Sequence, residues 1–244
     1  MWLKSLRIGA VSPRLIASFL VMPFFALSAY GSTLPRIEIS VLADRSTVEF
    51  FGSVEAAREA IEARVRKASR LYREQLGIEL TVAHMEIPEN VDLDPFDPDL
   101  DADEILDALI ESRTWRPELR TTDATLLITA RDMRTANGRL GGYAATGTLC
   151  TRDAAFVVRV MDPETDPRTL AHELAHVLGV GHDGEWPCAH ENPDGWLMAA
   201  TDNDNHRFST CTLRTARELI AWRLPCRTTL PTDLRTASHL SQGG

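Results

Sequence analysis

His172-Glu173-Leu174-Ala175-His176-Val177-Leu178-Gly179-Val180-Gly181-His182 is the stretch on which the reading of this chain turns. Residues four apart share a helical face, about 6 Å apart along the axis, so the His172 and His176 imidazoles reach toward one point. Glu173 projects beside them. A helix that ran on would carry His182 away. Gly179 can take the left-handed conformation that ends a helix and turns the chain, bringing a third imidazole to the same place. Three of the seven histidines fall in this one pattern, which isolated surface or core histidines would not explain. Three imidazoles on a tetrahedral zinc leave a fourth position for water, the arrangement of a catalytic rather than a structural site. Zinc lowers the pKa of bound water to about 7 and polarises a carbonyl. Glu173 is then the base that takes the proton and hands it to a leaving amine.

Outward from the motif, Asp166 and Pro167 read as the cap and first residue of its helix. Ala124 to Ala130 and Ala154 to Val160 are short apolar runs and read as buried strands. The glycine-rich segment from Gly138 to Ala144 between them is a loop or an edge strand. Arg36 to Ala43 reads as the first strand. Ser53 is the expected cap of a long helix with Val54, Ala57, Ile61, Val65, Ala68 and Leu71 at helical spacing, stopped by Gly77. Ile78 to Ile87 reads as the second strand. Asp97, Asp99 and Asp101 imitate a calcium loop, but Ala102 and Ala108 stand where Gly and Glu are required. Glu89 to Glu104 is therefore read as a solvated loop before a helix marked by Ile105, Leu106, Leu109 and Ile110. Thr212 is the expected cap of a last helix through Trp222. The order implies an α/β (α+β) fold in one domain over residues 32–230, with 231–244 as a short tail.

Composition narrows the partners. The chain has 244 residues, a net charge of −9 and a pI near 5.3, which opposes a nucleic-acid or anionic-membrane partner. Lys4, Arg7 and Arg14 precede the apolar run from Leu15 to Leu27, which ends in Ser28-Ala29-Tyr30-Gly31. That is the order of a secretory signal peptide over residues 1–31, cleaved near Gly31. An uncleaved anchor is the competing reading, but the run is short and broken by Pro23. A secreted, periplasmic or extracellular location follows, without stable membrane insertion. Cys150, Cys188, Cys211 and Cys226 suggest two disulfides, with three pairings open.

The extended motif resembles that of the metzincin metallopeptidases, and Asp183 directly after the third histidine resembles their adamalysin (reprolysin, ADAM-type) branch. Met198, in Gly195-Trp196-Leu197-Met198-Ala199, matches the methionine turn beneath the metal. Ala200 stands where astacins and serralysins have Tyr. The run from Gly142 through Tyr143 and Ala144 to Cys150 is similar to the family's substrate-binding edge strand and following cysteine. Phe208-Ser209-Thr210-Cys211 resembles its F-S-x-C segment.

The resemblance spans Arg36 to Cys226. It implies disulfides Cys150–Cys226 and Cys188–Cys211. It also implies a twisted mixed sheet with long helices above a small irregular C-terminal subdomain, with zinc in the cleft between. A protein or peptide substrate would pair with the edge strand, and a monomer is expected. Glu38 and Asp123 fall where some relatives bind calcium. The Asn expected after the last cysteine is missing (Thr228 and Thr229 stand there), and calcium takes about six or more oxygens, so ordinary surface carboxylates are the first reading and a calcium ion there the alternative. No cysteine precedes Cys150, and few residues separate the signal from the first strand, so a cysteine-bearing propeptide is not expected and the chain reads as a catalytic domain standing alone. The function implied is a secreted zinc metalloendopeptidase. Its rivals are a catalytically silent zinc-binding interaction protein of the same fold, against which the intact Glu173 and three histidines speak, and a zinc hydrolase of non-peptide substrates, which the motif alone does not separate.

Overall fold

The computed structural model describes residues 34–89, 100–135, 138–161, 167–201 and 203–224. Strand β1 (Arg36–Ala43) is followed by helices α1 (Arg45–Phe51) and α2 (Val54–Leu76) and by β2 (Glu79–Glu86). Helices α3 (Ala102–Trp115) and α4 (Pro117–Arg120) lead into β3 (Ala124–Thr129), β4 (Arg134–Thr135), β5 (Gly138–Arg139), β6 (Gly142–Ala144) and β7 (Ala155–Arg159). Helices α5 (Arg168–Leu178) and α6 (Thr210–Arg223) come last. The main sheet runs β2-β1-β3-β7-β6. Its first four strands are parallel, and β6 lies antiparallel at one edge. Strands β4 and β5 form a separate hairpin.

A parallel strand covered on both faces reads as an unbroken apolar run, and β3 (ATLLIT) buries every residue. Alternate side chains sort to the two faces. Leu126 and Ile128 of β3 and Phe156 and Val158 of β7 join Ile61 and Val65 of α2 and Leu170 and Leu174 of α5. Leu127, Ala155 and Val157 face Ile105 and Leu109 of α3. Arg113 of α3 is also buried, and its guanidinium donates to the carbonyls of Leu119, Thr122 and Thr151 and to the Thr125 hydroxyl. The described residues between α5 and α6 form neither helix nor strand, in keeping with the irregular C-terminal part that was expected.

Helix signals were legible where they were local. Ser53 Oγ accepts from Ala56 N at 3.0 Å to start α2, and Gly77, at φ 71°, ends it. Two expected caps are corrected. Pro167 is itself the N-cap of α5, with no side-chain bond, and Asp166 lies outside the described residues. Ser209, not Thr212, caps α6, its Oγ accepting from Thr212 N at 3.0 Å. Thr212 is buried in the first turn, where its hydroxyl bonds Asp183 at 3.0 Å. The acidic stretch is shorter than a loop to Glu104, because Asp101 and Glu104 form a capping box that opens α3. Helix α1 was not anticipated; Asp44 caps it, bonding Thr47 N at 3.0 Å. The predicted signal, the tail, Cys226, Asp97 and Asp99 lie outside the described residues.

Candidate metal centre

Helix α5 buries Leu170, Ala171, Leu174, Ala175, Val177 and Leu178, which turns the His172–His176 face toward the cleft. Tyr72 of α2 donates its hydroxyl to Ala171 O at 2.8 Å and fixes the helix from behind. Gly179 ends α5 at φ 113°, a conformation that side chains disfavour. The chain then doubles back, so that Val180 O meets His176 Nδ1 at 2.8 Å. The last carbonyls of α5 are satisfied by residues far from the motif. Gly147 N donates to His176 O at 2.8 Å and Leu149 N to Val177 O at 2.9 Å.

The three imidazoles converge. His176 Nε2 lies 3.0 Å from His172 Nε2 and 3.2 Å from His182 Nε2. The other ring nitrogens of His172 and His176 each sit 2.8 Å from a backbone carbonyl, of Leu197 and Val180. A carbonyl only accepts, so each Nδ1 carries the proton and each Nε2 presents a lone pair. Burial keeps both rings neutral by lowering the His172 pKa to about 4 and that of His176 to about 3. Two lone pairs this close repel unless a cation lies between them. Nitrogens about 2.0–2.1 Å from a tetrahedral zinc stand about 3.3–3.4 Å from one another, close to the separations found. The donor set fits zinc.

Glu173 is 6% exposed, and burial pushes its carboxyl up to about 8. A cation at the three imidazoles would draw it back down. The side chain lies against the edge strand. A Cβ built on Gly142 would meet Glu173 Oε1 and Cδ at 2.5 and 2.7 Å, and Cγ closer still. The carboxyl passes under β6 because residue 142 has no side chain. Tyr143, beside it, is committed elsewhere: its hydroxyl donates to Asp103 of α3 at 2.6 Å. What β6 offers the cleft is its backbone, and no strand pairs with its outer edge among the described residues.

Comparison with known sequences bears on the same residues. Residues 33–209 match metallo-peptidase family M12, reprolysin type. The chain belongs to this family. It is 29% identical over 192 residues to zinc metalloproteinase-disintegrin-like atrase-A of Naja atra, a match covering 78% of this chain and 30% of that one. It is also 29% identical over 202 residues to A disintegrin and metalloproteinase with thrombospondin motifs 1 of Bombyx mori, covering 78% and 19%. With hemorrhagic metalloproteinase-disintegrin-like kaouthiagin of Naja kaouthia it shares 30% over 115 residues, 44% of this chain and 27% of the other. The chain thus spans less than a third of the length of each of these relatives.

Around the M12 motif, the irregular C-terminal part supplies the supports. Asp183 N donates to Met198 O at 2.9 Å, and Met198 is fully buried. Since Leu197 O orients His172, the segment around Met198 is tied to both ends of the histidine set. Buried Asp183 accepts from Ser209 Oγ at 2.6 Å and Thr212 Oγ1 at 3.0 Å. Burial raises its carboxyl pKa while those two hydroxyls pull the other way. Cys188 and Cys211 form a disulfide closing 23 residues. Cys150 is also disulfide-bonded, and its expected partner, Cys226, lies outside the described residues.

Asp123 corrects one expectation. It is 4% exposed, and its carboxylate accepts from Glu38 N at 2.8 Å. It is a buried link between β1 and the start of β3 rather than a surface carboxylate. The orienting carbonyls of Leu197 and Val180 and the Gly142–Glu173 approach were missed, because none has a side-chain signature in sequence.

Proposed function

We propose that this M12 chain is a secreted zinc-dependent metalloendopeptidase that cuts extended peptides. The observation that carries the reading is the convergence of three imidazole nitrogens, two with fixed lone pairs, beside the buried Glu173 carboxyl. His172, His176 and His182 hold the ion, which when bound supplies a Lewis acid and lowers the pKa of water. Glu173 accepts a proton from the attacking water and returns it to the leaving amine. Met198 packs beneath the ligands, and Asp183 steadies the turn that carries His182. The backbone of Gly142, Tyr143 and Ala144 pairs with the substrate, aligning the scissile carbonyl with Glu173, which lies against Gly142.

Secretion rests on the signal pattern of residues 1–31, with the catalytic unit at 32–230. The compact unit that begins at Leu34 supports that boundary. No helix of the described residues is long and apolar enough to cross a membrane.

The test is cleavage of a denatured protein and a quenched peptide library, with and without a chelator, beside Glu173→Ala. Cleavage is expected to stop on chelation and to fall at least about 10²-fold in the variant, which keeps its zinc. A zinc-loaded wild type that cuts no peptide would overturn the reading.

A further inference from the structure

Asp132, between β3 and β4, is shared by three guanidinium groups. Arg134 Nε lies 2.8 Å from Oδ2, and Arg139 Nε and Nη2 lie 3.1 and 2.9 Å from the same oxygen. Arg159, at the end of β7, brings Nη1 to 3.3 Å from Oδ1. The side chains of Arg134 and Arg139 are 59% and 61% exposed. Among the described residues, one carboxylate against three cations leaves two positive charges in surplus here, in a chain whose net charge is −9. Arg131 nearby is paired with Asp44 and adds nothing to the surplus. On the α3 side of β6, Asp103 is engaged by the Tyr143 hydroxyl.

The cluster adjoins the cleft. Strand β5 ends at Arg139 and β6 begins at Gly142, while Gly141 O accepts from Arg159 N at 2.8 Å. Gly142 is the residue against which Glu173 lies. A peptide laid along β6 with its scissile bond level with Gly142 advances about 3.3 Å per residue, so it comes beside Arg139 within about three residues.

We infer that the arginine hairpin is a specificity-determining subsite for a carboxylate side chain. It takes Asp or Glu about two to four residues from the scissile bond, on the side of the substrate nearer Gly142. The inference rests on the peptidase reading and narrows its substrates to peptides acidic on one side of the cut. Arg134 and Arg139 each keep N–H donors beyond those given to Asp132, and a guanidinium fork matches a carboxylate.

The experiment is a quenched peptide set with Asp, Glu, Asn, Gln and Lys at each of the four positions on either side of the cut. It is run with zinc-loaded wild type, with Arg134→Gln/Arg139→Gln and with Arg134→Glu/Arg139→Glu, and melting curves are taken for all three. In wild type, an acidic residue on one side is expected to raise kcat/KM about threefold to tenfold over its amide, mainly through KM. That ratio should fall toward one in the Gln variant, turn in favour of Lys in the Glu variant, and fade at about 0.5 M salt. The Gln variant carries the test if the new carboxylates, set against Asp132, unfold the hairpin. A flat wild-type profile, or an acidic preference that both variants keep, overturns the subsite and leaves the peptidase reading standing. No cleavage of any peptide by the zinc-loaded protein overturns both.

Discussion

Gly142 owes its identity to the side chain of Glu173 more than to its own backbone freedom. Any Cβ there collides with the carboxyl group, and Glu173 is packed too tightly to move aside freely. For Gly142→Ala we expect kcat to drop about 10²-fold, the cost of moving a reacting group by about 1 Å, with zinc content close to wild type and stability lowered by about 1–3 kcal/mol from the overpacking. Undiminished kcat in the zinc-loaded variant would show that the strand does not set the carboxyl's position. At this scale the ligands were legible in sequence, because helical geometry fixes how residues four apart relate. The positioning of Glu173 was not, since it depends on a strand that folds against α5 from outside the motif.

At the scale of elements, Arg113 replaces the ion pair usual for a buried charge with a set of backbone carbonyls. It binds α3 to the entrance of β3 and to the loop after β6. Arg113→Met would fill similar volume and strand those carbonyls. A loss of about 3 kcal/mol, at about 1 kcal/mol for each abandoned acceptor, should appear in the denaturant midpoint with an unchanged slope. Elements whose signals are local were readable. Ser53 and Gly77 bound α2 from within a few residues, and β1, β3 and β7 declare themselves as apolar runs. The choice between Ser209 and Thr212 as cap was not readable, because both hydroxyls suit the role and Asp183, remote in sequence, holds both of them where only Ser209 precedes the first turn. Helix α1 was hidden for a like reason: Asp44 is held by Thr129 and Arg131, both remote in sequence.

For the whole molecule, the lower half depends on a covalent tie where regular structure is absent. The Cys188–Cys211 bridge closes a loop of 23 residues that includes the segment orienting His172. Replacing both cysteines by serine is expected to cost about 3 kcal/mol in urea unfolding. Zinc affinity by calorimetry should weaken as well, since Leu197 O then holds His172 less firmly. Affinity equal to wild type would mean that the segment keeps its shape without the bridge.

The parallel sheet also sets a timetable for folding. Ser40 pairs opposite Thr125, and Thr125 opposite Ala155, so no strand of the central trio meets its neighbour through a short hairpin. Long loops must close before such pairings form, which slows folding. The three histidines lie downstream of β7 and lean on the sheet through α5. Their convergence rests on α5 packed against the paired strands, so the geometry of the metal centre depends on pairings between segments far apart in the chain.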